Sequence, residues 1–399
     1  MDIIVLGCGS VGSGVVRDLV SDQSDDVDRV IVSDFREEEA NKLVSELGDD
    51  RLEVEVCDVS NTAQTRELLD GKDVCVNCIP TRAGYQMDIM KTALKAKCPY
   101  VDIGGLYHTT LKQKKLHEDF AKAGVPALLG MGAAPGSTNI LAKRGADRFE
   151  KVSKIEMYAA WRDFGPESPV FVPPYSILTL LDEYSEESIQ YIDGEFKSLP
   201  PCSGEKVVDF PDPIGKMECF HTIHSEPATV PNSFEDKGVE EVTWRLGVPE
   251  SLDNVMRSLI SVGFGSKKPL ELENASIEPE KFLQSLIWRN IKENEDKIPE
   301  PESLEEAQVY GIHRAIIEGT NGGEFDTIYV DIIQEPHKIY EGYSGALTDM
   351  SASIGAQIVG QGKVDPGVWA PEECINPQEY FEELKKRKFI IRETAQKEV

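Results

Sequence analysis

Three glycines near the start of the chain have the spacing of a dinucleotide site. Gly7-Cys8-Gly9-Ser10-Val11-Gly12 reads GxGxxG and lies between an apolar run, DIIVL at 2–6, and a helical pattern, VVRDLVSD at 15–22. Gly7 permits the tight turn, Gly9 lets the backbone approach a pyrophosphate, and Gly12 allows close helix packing. Ser10 and Val11 open the helix whose N-terminus stabilises the anion. Asp34 closes the next apolar run, RVIVSD, where a carboxylate would accept hydrogen bonds from a ribose 2′-OH. A 2′-phosphate there would be repelled by about 4 kcal/mol for each pair of unit charges at about 4 Å and an effective dielectric of about 20. Glu37, Glu38 and Glu39 add to that repulsion and Arg36 opposes it, so NAD is the expected cofactor, with NADP the alternative.

Other candidates fall at the ends of later apolar runs, where ligands of open α/β sheets bind. Asp58 and Val59 fall where an adenine edge would lie, and Cys78, Ile79 and Pro80 beside the expected ribose and nicotinamide. Each could equally be a strand-end loop residue. Asp102 ends YVDIGG, with Gly104 and Gly105 clearing space behind it; capping the following helix is its simpler role. The stretch GMGAAPGSTNIL at 130–141 has small residues that would keep the same edge low for a nicotinamide ring and a substrate. Its Pro135-Gly136 pair is expected to start a helix with free N–H groups for an anion such as a substrate carboxylate. A second phosphate loop is excluded because no Gly-Lys-Ser/Thr follows.

The elements needed to position these residues are legible. Apolar strands alternate with amphipathic helices from residue 2 to LLG at 128–130, which specifies an α/β fold, a Rossmann doubly wound parallel sheet. Beyond residue 150 the alternation stops. KIEMYAAW, GKMECFHTIH and VEEVTWRLGV read as strands, and QVYGIHRAIIEG and EFDTIYVDII flank TNGG as a hairpin. An inserted α+β domain with a largely antiparallel sheet is expected. The boundaries expected are 1–134 for the Rossmann domain and 135–345 for substrate binding and dimerisation, with 346–399 returning to complete the first domain. FEELKKRKFI, at 381–390, would be a last helix and strand of that return.

Composition bounds the partners. With 399 residues, about two domains are expected. The 42 Lys and Arg against 71 Asp and Glu give a net charge of −29, which repels phosphate backbones and anionic lipid. Nucleic acid and membrane are therefore poor partners. Such acidity also suits a salty cytoplasm. No apolar run approaches the ~20 residues of a membrane helix, and the start, MDIIVLGCG, lacks a positive n-region, so a cytoplasmic protein is expected. Cys75 and Cys78 form a CxxC, but on a buried strand residues three apart point to opposite faces. Free thiols and no metal are expected.

GMGAAPGSTNIL, together with VDIGG, CFHTIHSEPATVP at 219–231 and the ending IGAQIVGQGKVDPGVWAPEECINPQEYFEELKKR, resembles the saccharopine dehydrogenase family, including its lysine 6-dehydrogenase branch. The similarity runs over nearly the whole chain. It implies a Rossmann domain with a C-terminal return, an inserted α/β domain, a homodimer, and reversible hydride transfer at a carbon bearing an amine in an amino acid such as saccharopine or lysine. Ala134-Pro135-Gly136 stands where saccharopine reductases and carboxynorspermidine-type enzymes tend to have Asp-Pro-Gly. The Ala version, like FHT at 220–222, is similar to lysine 6-dehydrogenases, whereas HSEP at 224–227 looks like the broader group, leaving the substrate open.

For that chemistry an amine must lose a proton before its carbon gives up hydride, because an ammonium nitrogen has no lone pair. A histidine suits the step. His221 is the expected base, with Asp102 and Glu226 as partners or counter-charges; ordinary strand histidines are the simpler reading. His221 and His224 form HxxH, but a shared metal would need a bend after His221. Arg162 could clamp an α-carboxylate or make a surface ion pair. Gly136, His224, Tyr175 and Ser176 are candidate pocket residues. Two other readings remain, a carboxynorspermidine-type polyamine reductase and an NAD-binding sensor without turnover.

Overall fold

The structure, a computed structural model, describes residues 1–299 and 308–396; 300–307 and 397–399, the end of the expected return, lie outside it. The first apolar runs form a seven-stranded parallel sheet. Its order is Gly367–Trp369, Pro126–Leu128, Tyr100–Asp102, Val74–Asn77, Asp2–Leu6, Arg29–Asp34 and Leu52–Val56. Ile3, Ile4, Val5 and Leu6 are fully buried, as a strand covered on both faces requires. The chain starts mid-sheet, builds toward Leu52–Val56, then crosses back to Val74–Asn77. The switch point therefore lies beside the glycine loop, where such sheets bind ligands.

The segment after residue 345 does contribute to this layer. Helix Ala346–Gly360 packs on helix Ser10–Leu19 so closely that a Cβ on Gly14 would sit 2.0 Å from an Asp349 oxygen, and Gly367–Trp369 supplies the edge strand. Arg387, just past helix Pro377–Lys386, forms a fully buried ion pair with Asp18 at 2.8 Å. The expected return of the last strand to this sheet is corrected. Ile390–Gln396 pairs antiparallel with Glu324–Gln334 in the second sheet, Ile390 opposite Ile333. The physical reason is that Gly367–Trp369 already covers Pro126–Leu128, while Glu324–Gln334 offers a free backbone edge.

The second sheet is mixed and mostly antiparallel, with order Lys206–Asp209, Lys216–Phe220, Glu241–Gly247, Lys151–Asp163, Val309–Asn321, Glu324–Gln334 and Ile390–Gln396. Hairpin Ser188–Ile192/Glu195–Leu199 joins beside Glu241–Gly247, which runs parallel to Lys151–Asp163. Side chains alternate between faces. Met157, Ala159 and Trp161 face the main core with Trp244 and Leu246, whereas Tyr158 and Ala160 face a separate cluster with Phe210, Ile312 and Ile316. That parity decides which candidates can meet.

Candidate active site

The glycine loop has the shape a pyrophosphate needs. Gly7 takes φ +88° and donates to Ser33 O, and a Cβ on Gly12 would fall 1.8 Å from Gly7 O, so helix Ser10–Leu19 can approach only as glycine. Gly9 is different: among the described residues nothing lies within 4 Å of where its Cβ would be, and it is exposed with Ser10. The Asp34 carboxylate is held by the amides of Cys8 (3.1 Å) and Arg36 (2.9 Å) and by Arg36 Nε (3.4 Å). Burial opposes its charge, but these hydrogen bonds prevail and hold it below the ordinary carboxylate range. Phe35 and Arg36 stand exposed beside it. Asp58 is exposed and accepts from the Ser60 amide, Val59 is half-buried, and Cys78, Ile79 and Pro80 follow the fourth strand toward solvent. Cys75 is buried beneath them. The residues present fit NAD(P), which supplies hydride exchange when bound.

Asp102 is closed off from solvent. It is fully buried, with one carboxylate oxygen accepting from Gly130 N (2.8 Å) and the other from Tyr100 OH (2.9 Å) and Gln113 Nε2 (2.6 Å). Tyr100 OH also accepts from Asn77, whose own oxygen accepts from the Ile79 amide. Asp102 is thus a buried anchor for the strand-end loops. Asp102→Ala would strand three donors, and urea unfolding is expected to show a loss of about 3 kcal/mol or more.

The stretch after Leu128 is also tighter than expected. Gly104 and Gly130 pack backbone against backbone, a Cβ on Gly104 falling 2.7 Å from Gly130 Cα. Gly136 takes φ +124°, and its N–H donates to Asn139 Oδ1 at 3.0 Å. The amides of Ser137 and Thr138 donate to Gly132 O and Ala133 O. The expected free N–H groups for a substrate anion are therefore spent on the loop itself. The small residues serve chain-on-chain packing.

What the structure brings to the junction between this edge and the second sheet is a cluster around His224. Its Nδ1 donates to Glu226 Oε2 at 2.9 Å, its Nε2 lies 3.5 Å from Glu183 Oε1, and its ring stacks on Trp244 with centroids 4.1 Å apart. Thr138 Oγ1 donates to Glu226 Oε1 at 2.9 Å, and Tyr175 OH donates to Glu183 Oε2. Burial opposes a charge on His224, but Glu226 and Glu183 outweigh it and raise its pKa to about 9. His313, within the electrostatic reach of Glu226 and His224, is pushed by burial down to about 4.

His221 and Arg162 are elsewhere. The strand stops at Phe220, and His221 turns to the far side, donating from Nδ1 to Trp244 O at 2.8 Å. A Cβ on Gly204 would fall 2.5 Å from its Nε2. Burial and then Arg245 push it down to about 4. Arg162 shares the parity of Tyr158 and Ala160, and its Nη2 donates to Lys216 O at 2.7 Å, away from His224. Neither residue hydrogen-bonds to His224, Glu226 or Glu183 among the described residues. Ser176 stands at the N-cap position of helix Ile177–Ser185 without a side-chain capping bond and is exposed.

Comparison with known proteins adds to this geometry. Residues 3–128 match the model of the saccharopine dehydrogenase NADP binding domain, and residues 132–390 match that of the saccharopine dehydrogenase C-terminal domain. The chain belongs to the saccharopine dehydrogenase family. Saccharopine dehydrogenase (L-Glu forming) from Saccharomyces cerevisiae has the same fold, with a TM-score of 0.72 over 99% of each chain at 15% identity. Carboxyaminopropylagmatine dehydrogenase from a Synechocystis strain is 21% identical over 96% of this chain and 94% of its own. Carboxynorspermidine synthase from Vibrio alginolyticus is 22% identical over 54% of this chain and 53% of its own.

As a member of the saccharopine dehydrogenase family, this chain is an NAD(P)-binding oxidoreductase. Glu183, Thr138, Trp244 and His313 are the neighbours of His224 and Glu226 that sequence reasoning missed. His313 carried a signal: it alternates with Ala315 and Ile317, which face the main core. Glu183 carried none, because a carboxylate in a helix is ordinarily a solvated residue.

Proposed function

We infer that this member of the saccharopine dehydrogenase family transfers hydride between NAD(P) and a carbon bearing an amine, with His224 moving the proton. The observation that carries this reading is the placement of His224 between Glu183 and Glu226, 11% exposed, with Glu226 held by Thr138 on the helix that follows strand Pro126–Leu128. With a pKa near 9 the imidazolium persists at neutral pH and is an acid suited to protonating a nascent amine. In the opposite direction it must first lose that proton. The carboxylates stabilise the imidazolium, and Trp244 fixes its ring plane. Asp34 and the three glutamates after Arg36 favour NAD over NADP.

An amino-acid amine such as that of saccharopine or lysine is one substrate class. The acidic surroundings of His224 and the similarity to two relatives named for carboxylated polyamines favour a second, a cationic carboxylated polyamine. Reduced-nicotinamide absorbance with NAD and NADP, each against lysine, saccharopine and carboxylated polyamines, separates them; silence with every amine, despite NAD(P) binding, would sink the reading. The sign of the pH dependence follows from His224. Amine oxidation is expected to rise with pH and level off above about 9, and amine formation to fall above about 9, both read from kcat/KM profiles.

A further inference from the structure

The geometry points to Arg82 as a positioning residue: from the loop after the fourth parallel strand it sets the helix that carries Glu183, and through Glu183 the seat of His224. This rests on the reading of His224 given above. Arg82 lies in the short turn Thr81–Ala83, directly after Pro80, and Thr81 Oγ1 ties that turn to Gly104 O at 2.8 Å. Its guanidinium spans two helices of the other half of the molecule. Nε lies 2.6 Å from Asp182 Oδ2 on Ile177–Ser185, and Nη2 lies 2.7 Å from Glu280 Oε2 on Pro279–Glu293. Both carboxylates are nearly buried, at 5% and 9% side-chain exposure.

Asp182 immediately precedes Glu183. Neighbouring residues on a helix point about 100° apart, so the two address different partners. One is held by the cofactor-side loop, the other by His224 and Tyr175. Any shift of this helix against the loop therefore changes the distance from Glu183 to His224, already long at 3.5 Å. Lys267 also grips Asp182 at 3.0 Å and Glu186 at 2.8 Å, but it is half exposed and cannot span two carboxylates with a planar fork. Buried ion pairs add little net stability, yet their directional bonds fix geometry. The titratable groups facing His224 are Glu183, Glu226 and His313, with Tyr175 behind Glu183.

The test compares wild type with Arg82→Gln, Arg82→Lys, Asp182→Asn and the Arg82→Gln/Asp182→Asn pair. The readouts are the pH profile of kcat/KM, kcat and substrate KM at fixed pH, and NAD(P) Kd from reduced-nicotinamide fluorescence. Arg82→Gln is expected to lower kcat about 10-fold and to move the limb near pH 9 down by about one unit, as Glu183 loosens. NAD(P) Kd should stay within about 2-fold, and the double variant should lose no more than the Gln variant alone. Should Arg82→Gln fail to fold, the shift of the same limb in Arg82→Lys decides the matter. An unmoved limb, additive losses, or an unchanged kcat with a raised KM would overturn the assignment, the last placing Arg82 on the substrate. A limb that persists in His224→Asn would instead refute the underlying reading, whatever Arg82 does.

Discussion

Replacing His224 with asparagine is expected to lower kcat by about 10²–10⁴-fold in both directions, the usual worth of a positioned proton-transfer group. Asparagine can still donate one hydrogen bond to Glu226, so the loss would report proton transfer more than packing. It cannot gain or lose a proton near neutral pH. NAD(P) affinity should not follow kcat, because the glycine loop is built from other elements. The variant will also lose a pH-dependent part of its stability. The folded pKa of His224, about 9, lies above its ordinary 6.5, so the stabilisation is complete below about 6.5 and disappears as pH rises through about 9. Melting curves of wild type and variant should therefore converge at alkaline pH. A variant that keeps wild-type kcat would remove His224 from the chemistry.

Gly9→Val is expected to raise the Kd for NAD(P) about 100-fold while leaving the fold intact. The backbone at Gly9 (φ −67°, ψ −169°) is one that any residue adopts, and among the described residues no atom lies within 4 Å of the added Cβ. It would instead fill the space that a pyrophosphate must enter, and overpacking of about 3 kcal/mol is about two decades in Kd. The unfolding midpoint should move by no more than about 0.5 kcal/mol of stability. Gly12→Ala provides the contrast, since its Cβ would collide with Gly7 O and disturb the fold itself. Isothermal titration together with urea unfolding separates the two cases. Unchanged NAD(P) affinity in Gly9→Val would mean that the dinucleotide lies elsewhere.

The parallel sheet and its glycine loop were legible because their demands are local: a buried strand, a turn, a helix start. The second sheet was less so. Hairpin Ser188–Ile192/Glu195–Leu199 leaves Phe196 exposed and has little apolar alternation, and the last strand's choice of sheet depends on which edge stands free. The two histidines of HxxH are harder to tell apart from sequence. Whether His221 or His224 faces Glu183 depends on where the strand ends, and it ends at Phe220, which turns His221 away and leaves His224 free to stack on Trp244. Asp102 stands at a strand end where ligands often bind, but Tyr100, Gln113 and Gly130 close around it, and only Tyr100 is near it in sequence. Glu226 was found by type and position, whereas its partners Thr138 and His224 meet it only through the packing of the two sheets.

The most direct test of the central claim is the pH profile of reduced-nicotinamide formation by wild type and His224→Asn, with NAD(P) in excess and a turned-over amine held below its KM so that kcat/KM is read. The account predicts a single-proton limb near pH 9 in wild type that is absent, with kcat/KM greatly reduced, in the variant. Equal rates with the same limb in both proteins would contradict it.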